Sequence, residues 1–367
     1  MDILILGGTG AMGNMLIKLL ANGNAENHVT VTSRRDHVSE YASVRYVKGN
    51  AKDINFLKEI LCDRYEIIID FMVYTTAEFE HRYELLLSNT GQYVFISSAR
   101  VYAQSDIPIT EESPRLLDVC TDTEYLATDE YALAKARCEN LLNNSGKKNY
   151  TIVRPSITYG TQRLQLGVLE KEGWLYRALH GRSIVFSNDI APKLTAMTSG
   201  EDVARGICSL LGKENALGET FHITSERSYT WNDILQCYLS ILDEETEIKP
   251  NVVFTEKAIS LKINKYQVIY CRYFNRTFDD SKIKNFIDTD SFTEPTQGLS
   301  ECLKAFLKNP SFQTINWKLE AWNDRAAKER TPLKEIPGWK KKILYLLYRY
   351  RLDFIAKALT KISRMFK

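Results

Sequence analysis

No two of the seven cysteines form a CxxC pair, and their scatter at positions 62, 120, 138, 208, 237, 271 and 302 describes neither a zinc site nor a disulfide framework. Scattered thiols in odd number are what a reducing compartment leaves, so a cytoplasmic setting is expected. Histidine is scarce too. His28, His37, His81, His180 and His222 show no metal-ligand spacing, so no metal is expected and each is read as a surface or packing residue. No apolar run reaches the length of a membrane span, and a Met-Asp start that enters a strand at once is unlike a signal peptide. Repeats and low-complexity tracts are also missing. Net charge is small, +2 over 367 residues, but unevenly spread: from Lys340 to Lys367 nine lysines and arginines stand against one acid, Asp353, so this tail carries +8 and the rest −6. A basic end on an acidic body calls for an anionic partner for the tail, either a membrane surface or nucleic acid.

What the chain does have is an apolar body, 44% hydrophobic and long enough for two lobes or one large domain with an extension. Strand and helix patterns alternate through the first half: a strand at 3–6, HVTVTSR at 28–34, INFLKEIL at 54–61, EIIIDFMV at 66–73, EFEHRYELLL at 78–87, QYVFISS at 92–98, ALAKARCENLL at 132–142 and NYTIVRP at 149–155. That alternation specifies an α/β fold with a Rossmann-type, doubly wound parallel sheet. After Gly160 the rhythm changes. The expected dinucleotide-binding domain is therefore 1–160, with 194–225 returning to it. A smaller discontinuous substrate lobe takes 161–193 and 226–330, and 331–367 forms a basic helical tail.

The opening MDILILGGTGAMG sets Gly7, Gly10 and Gly13 at a strand-to-helix turn. Gly7 suits the tight turn, Gly10 a close approach of backbone to ligand, and Gly13 the packing of helix on sheet, with free N–H groups aimed at a pyrophosphate. Taken alone, the triplet also describes a turn that holds nothing. YALAK places Tyr131 and Lys135 four apart on one helix face, where an ammonium beside a phenol favours the phenolate and makes a usable general base. Alone, such a spacing also describes a surface pair. ISSARVYA puts Ser97 and Ser98 at the carboxyl end of a strand, where sheets of this class carry their chemistry.

In order, GGTGAMG, Asp70 closing IIID, SSARVY, YALAK and RPSITYG at 154–160 resemble the extended short-chain dehydrogenase/reductase family, in its nucleotide-sugar epimerase, dehydratase and ketoreductase branch. The resemblance covers Met1 to about residue 330. It implies that Tyr131 transfers the proton, that Lys135 activates it and binds the nicotinamide ribose, and that Ser98 hydrogen-bonds the reacting sugar oxygen. It further implies a cofactor site made of Gly7, Thr9, Gly10, Ala11, Met12 and Gly13, of Asn50 and Ala51, of Phe71 and Met72, and of Pro155, Ser156 and Ile157 at the nicotinamide. Lys193 stands near where relatives hold the substrate diphosphate with arginine; a solvated loop lysine is the other reading.

Departures narrow the reaction. Ala99 and Arg100 follow Ser98 where dehydratases place acids, so no carboxylate stands ready to eliminate water, and 4-keto reduction or epimerisation leads. The family's VYG ends here in Ala103, and the 76–88 helix lacks the asparagine of many short-chain enzymes. After the second strand Ser33, Arg34 and Arg35 offer a hydroxyl and positive charge that suit a 2′-phosphate, which favours NADP and leaves NAD as the alternative. Asn50 replaces the usual adenine-binding aspartate and still offers an amide oxygen. The implied partners are a nucleotide sugar and, with a homodimer left open, a second copy; no nucleic acid is expected. A second class of function stays open: a catalytically silent or regulatory protein on the same fold, as with some chloroplast RNA-associated relatives. An intact Ser98, Tyr131 and Lys135 favours the enzyme. From Tyr348 the apolar residues Leu352, Ile355, Leu359, Ile362 and Phe366 recur at helical spacing, with Arg349, Arg351, Lys357, Lys361 and Arg364 largely outside the stripe. This describes a basic amphipathic helix that either lies on an anionic membrane, at the inner face of which the enzyme would then work, or packs on protein.

Overall fold

The computed structural model describes residues 1–23, 26–261 and 264–355. Seven parallel strands make the main sheet: β1 (Asp2–Leu6), β2 (His28–Ser33), β3 (Val44–Lys48), β4 (Tyr65–Asp70), β5 (Thr90–Ile96), β6 (Tyr150–Pro155) and β7 (Glu219–Ile223). Their order is β7-β6-β5-β4-β1-β2-β3, with in-register pairs such as Ile5 to Val31 on one side of β1 and Ile5 to Ile69 on the other. Chain order reverses between β1 and β4, which places the carboxyl ends of those two strands at the topological switch point where open sheets bind ligands.

The strands are apolar on both faces because both are covered. On one face Ile3, Ile5, Val31, Ile69 and Ile96 pack against Leu16, Ile17 and Leu20 of helix α1 (Ala11–Gly23). On the other, Leu4, Leu6, Ile68, Phe95 and Ile152 meet Phe79, Leu86 and the buried Cys138 and Leu142 of helix α2 (Tyr131–Asn143). Helix α3 (Gly200–Leu210) returns to the first face through Val203, Ile207 and Leu210.

The chain divides into two compact units, the first Met1–Gly160, Leu194–Ser228 and Phe274–Gly298, the second Thr161–Lys193, Tyr229–Tyr273 and Leu299–Lys367. Residues 274–298 thus sit with the sheet and not in the second lobe. Ile109 N–H donates to the Thr277 carbonyl, Asp280 accepts from the Thr224 hydroxyl at 2.7 Å, and Ile283 is buried in the core beside Phe221. The helix expected at 78–87 is two short ones, Thr76–Glu80 and Tyr83–Ser88. They break where Arg82 turns inward, over the Tyr74 ring, to donate to the carbonyls of Glu78, Ala51 and Lys52.

In the second unit a short parallel pair, Ile184–Ser187 with Val252–Thr255, stands near a buried charge cluster. Arg177, fully buried, pairs with Glu320, Asp324 and Glu329. Asp324 also accepts from the Tyr345 hydroxyl at 2.7 Å, which ties helix α4 (Trp317–Ala327) to helix α5 (Trp339–Arg349). Residues 331–349 are therefore part of this unit and not a separate tail. Nor does one helix run on from Tyr348. α5 ends at Arg349; Arg351 adopts φ +63° and Leu352 N–H reaches back to the Leu347 carbonyl, a Schellman closure with arginine in glycine's usual place. Lys357, Leu359, Lys361, Ile362, Arg364 and Phe366 lie outside the described residues.

Candidate active site

The turn after β1 is built as its glycines demand. Gly7 has φ +72°, and a Cβ there would fall 2.6 Å from the Met72 sulfur. A Cβ on Gly13 would lie 2.2 Å from the Gly8 carbonyl oxygen, so the first turn of α1 touches the loop that precedes it. At Gly10 a Cβ would meet nothing within 4 Å. Open space thus faces the backbone at the start of α1, flanked by Thr9, Ala11 and Met12, where unsatisfied N–H groups and the helix dipole favour an anion. The residues present fit a dinucleotide pyrophosphate.

Around that opening the strand ends bring their own groups. Ser33 is buried at the end of β2, its oxygen accepting from Arg35 N–H, while Arg34 is exposed and has no ion-pair partner among the described residues. Asn50 is exposed, with its amide oxygen on Lys52 N–H at 3.2 Å, and Ala51 is buried beside it. Past β4, Phe71 N–H donates to the Leu6 carbonyl, which lays 71–72 across the end of β1. Asp70 is fully buried and accepts from Met72 N–H and from the hydroxyls of Tyr74 and Tyr93. Burial pushes its carboxyl above the usual range, against those donors. It fixes the turn and is closed to substrate.

The two serines after β5 separate. Ser97 is buried and gives its hydrogen to Glu139 at 2.6 Å. Ser98 accepts from Arg100 N–H at 3.2 Å, and among the described residues its own hydrogen has no acceptor. Tyr131 is the first residue of α2, half-buried; Lys135, one turn on, is 2% exposed. The Lys135 ammonium donates to the carbonyls of Ile96 (2.6 Å) and Met72 (3.1 Å) and lies over the Phe95 ring. One lysine therefore ties α2 to the carboxyl ends of β4 and β5.

Reading the sequence missed a second clamp. The Arg100 guanidinium lies 5.2 Å from the centre of the Tyr131 ring and pairs with Glu130 at 2.5 Å, and Glu130 caps α2 by accepting from Ala132 N–H. The signal was there in opposite charges flanking Ser98 and Tyr131, but nothing local says that they meet. Pro155 closes β6, and Ser156 and Ile157 follow it. Ser156 donates to the Ala196 carbonyl, and Thr158 lies 3.4 Å from the Met12 sulfur, which brings this segment beside α1. All of these residues belong to the first unit. Lys193 belongs to the second, where among the described residues its backbone alone is engaged, with Ile190 and Trp231.

Beneath the site runs a buried polar chain. Glu139 pairs with Arg154 and Arg115, Arg154 lies over the Tyr102 ring, and the Tyr102 hydroxyl is 3.3 Å from His222 Nδ1. Burial holds His222 below its ordinary pKa, and its other nitrogen lies 2.8 Å from the Asp279 carbonyl. Among the described residues no group of three or more histidines, cysteines and acids is placed to hold a metal.

No family model matches the chain. A curated relative, the chloroplast stem-loop binding protein of 41 kDa b from Arabidopsis thaliana, is 29% identical over 252 residues, 63% of this chain and 61% of that protein. The match thus spans less than two thirds of the relative's length. An epimerase from Methanothermobacter thermautotrophicus superposes with a TM-score of 0.66 at 18% identity, covering 84% of this chain and 92% of that one. The UDP-glucuronic acid 4-epimerase of Bacillus cereus, solved with UDP-glucuronic acid and NAD, gives 0.65 at 16% identity over 85% and 100%. The dTDP-glucose 4,6-dehydratase of Bacillus anthracis, solved with NAD, gives 0.63 at 16% over 84% and 97%. The chain has the fold of the extended short-chain dehydrogenase/reductases. At these identities the likeness carries the architecture of the nucleotide-sugar epimerases and dehydratases, and the reaction has to be argued from the site.

Proposed function

We propose that the protein is an NAD(P)-dependent enzyme of the extended short-chain dehydrogenase/reductase family, acting on a nucleotide-diphosphate sugar by 4-keto reduction or epimerisation. The observation that carries this reading is the Lys135 tie, which sets Tyr131 beside the ends of β4 and β5, in the same compact unit as the glycine turn. Tyr131 gives or takes the proton at the sugar oxygen, and Ser98, with its hydrogen uncommitted, orients that oxygen. The Arg100–Glu130 pair sets a cation against the tyrosine ring, and Lys135 anchors the helix that carries it. Gly7 to Gly13, Asn50 and Ala51, Phe71 and Met72, and Pro155 to Ile157 would hold the cofactor, which supplies the hydride chemistry when bound. Arg100, standing where an eliminating acid would be, argues against dehydration. The unpaired Arg34 supports NADP; NAD, which several structural relatives carry, is the alternative. The scattered thiols support a cytoplasmic setting.

The test incubates the purified protein with UDP- and dTDP-linked sugars and each reduced and oxidised cofactor, with products read by mass spectrometry. Nucleotide released on denaturation divides the two reactions: retained NAD supports epimerisation, exchangeable NADPH reduction. A protein that binds neither cofactor and turns over no sugar nucleotide refutes the proposal. The likeness to the chloroplast stem-loop binding protein supports a second reading, an RNA stem-loop binder on the same fold. That reading expects tight stem-loop binding that Tyr131→Phe leaves unchanged, without turnover.

A further inference from the structure

Helix α5 has two apolar faces where a helix on a protein surface needs one. Tyr345 and Tyr348 are buried against Trp317 and Trp322 of α4 and hold the helix to the second unit. Trp339 (67% exposed), Ile343 (42%) and Tyr350 (55%) fall at i, i+4 and i+11, one narrow stripe on the opposite side. Half-buried Leu346, at i+7, continues the stripe. Just past the helix end Phe354 is 68% exposed. Five of the exposed large apolar side chains among the described residues fall between 339 and 354, a density that a solvated surface does not call for.

Cations frame this stripe. Lys340 lies to one side and Lys342 to the other, while Lys341 and Arg351 are exposed close by. Residues 339–355 hold five lysines and arginines against Asp353, and the sequence beyond adds four more with no acid. We propose that the outer face of α5 docks on an anionic lipid surface, with Trp339 and Tyr350 at headgroup depth, Ile343 below them and the lysines against the phosphates. Tryptophan and tyrosine favour that depth, and basic residues around an apolar stripe are the mark of helices that lie in the interface. A second copy of the chain is disfavoured, because two such faces would bring like charges together. Nucleic acid would use the cations but gain nothing from Ile343. The surface differs from the stripe through Leu352 and Ile355 that sequence periodicity suggests, and it does not depend on the catalytic reading.

The test is co-sedimentation of the full-length chain with vesicles of phosphatidylglycerol and of phosphatidylcholine at low and physiological salt. Three proteins are compared: the native chain, Trp339→Ser with Ile343→Ser, and Lys340→Glu with Lys341→Glu and Lys342→Glu. Trp339, Ile343, Lys340 and Lys341 are exposed and Lys342 is half-buried, so unchanged thermal unfolding certifies the fold. The native chain is expected to bind phosphatidylglycerol, more weakly as salt rises, and phosphatidylcholine far less. Each cation near an anionic surface is worth about fivefold in binding, so the charge-reversed chain should lose a hundredfold or more. The serine pair should lose at least tenfold, and the native tryptophan emission should shift to the blue on binding. The proposal is overturned if the native chain stays in the supernatant at low salt, or if both variants bind as it does. It is equally overturned if the stripe supports only a dimer that the serine pair dissociates, or only RNA binding that the charge reversal removes.

Discussion

Gly10 and Gly13 stand three residues apart in the same turn, and alanine at each should do opposite things. A Cβ at Gly13 would lie 2.2 Å from the Gly8 oxygen and 2.6 Å from its carbonyl carbon, backbone that no rotamer change can move. The helix and the loop would have to part by roughly 1 Å to reach van der Waals separation. Overpacking of this kind costs about 1–3 kcal/mol. Up to about 1 kcal/mol returns because alanine is the better helix former. The net loss, centred on about 1–2 kcal/mol, should lower the melting temperature by about 2–8 °C in a unit of this size. Gly10→Ala has nothing within 4 Å to strike, so its melting temperature should stay within about 1 °C of the native value. If a dinucleotide lies against that backbone, however, the same methyl takes the ligand's place, and affinity should fall at least tenfold, about 1.4 kcal/mol. Differential scanning fluorimetry without ligand, with calorimetric titration of NADPH and NADH, separates the two effects. A Gly10→Ala protein that binds both cofactors like the native chain would refute the placement of the ligand, and a Gly13→Ala protein of native stability would refute the packing argument.

Tyr131→Phe should leave cofactor affinity and melting temperature unchanged while turnover falls by about 10²- to 10⁴-fold, the contribution of a positioned acid or base; turnover within a few-fold of native rules the assignment out. Arg34→Ala should weaken NADPH far more than NADH in the same titrations, since only the former carries the phosphate that a guanidinium pairs with, and equal losses would show that Arg34 is not at the 2′ position. Asp280 is buried, its second carboxylate oxygen lacks a hydrogen-bond partner among the described residues, and burial raises its pKa from 3.8 to about 7. A folded-state pKa above the unfolded one means that the native protein gives up stability as pH rises from about 4 through 7, so Asp280→Asn should raise the melting temperature by several degrees at pH 8 and hardly at pH 4. No gain at pH 8 contradicts this.

Much of the sheet is legible because its strands are buried on both faces: ILIL in β1, IIID in β4 and YVFI in β5 are short apolar runs between turn residues. β3 is different. As the edge strand it buries only Val44 well, and VRYVK carries two cations to solvent, so its pattern is too short and too polar to stand out. The break at Arg82 could not be read at all, since its cause is a pair of carbonyls at Ala51 and Lys52, some thirty residues away. The position of 274–298 has the same character: Ile283 and Phe278 look like any apolar residues until Phe221 and Ile109 are found beside them.

In the site, the motifs name residue types, and long-range partners decide what each type does. Ser97 and Ser98 are adjacent and chemically identical. Glu139, forty-two residues on, takes the hydrogen of the first and makes it structural; the second accepts from Arg100 N–H, and its own hydrogen has no acceptor among the described residues. Lys135 was legible as a cation one turn from Tyr131, but its hold on the carbonyls of Met72 and Ile96 makes it the joint between a helix and two strand ends. Arg100 inverts its meaning most. By spacing it marks a missing acid, and by contact it is a cation held over the tyrosine ring by Glu130, the residue that also caps the helix. Under the proposed function, a cation held over the Tyr131 ring at the position of an eliminating acid favours reduction or epimerisation over dehydration.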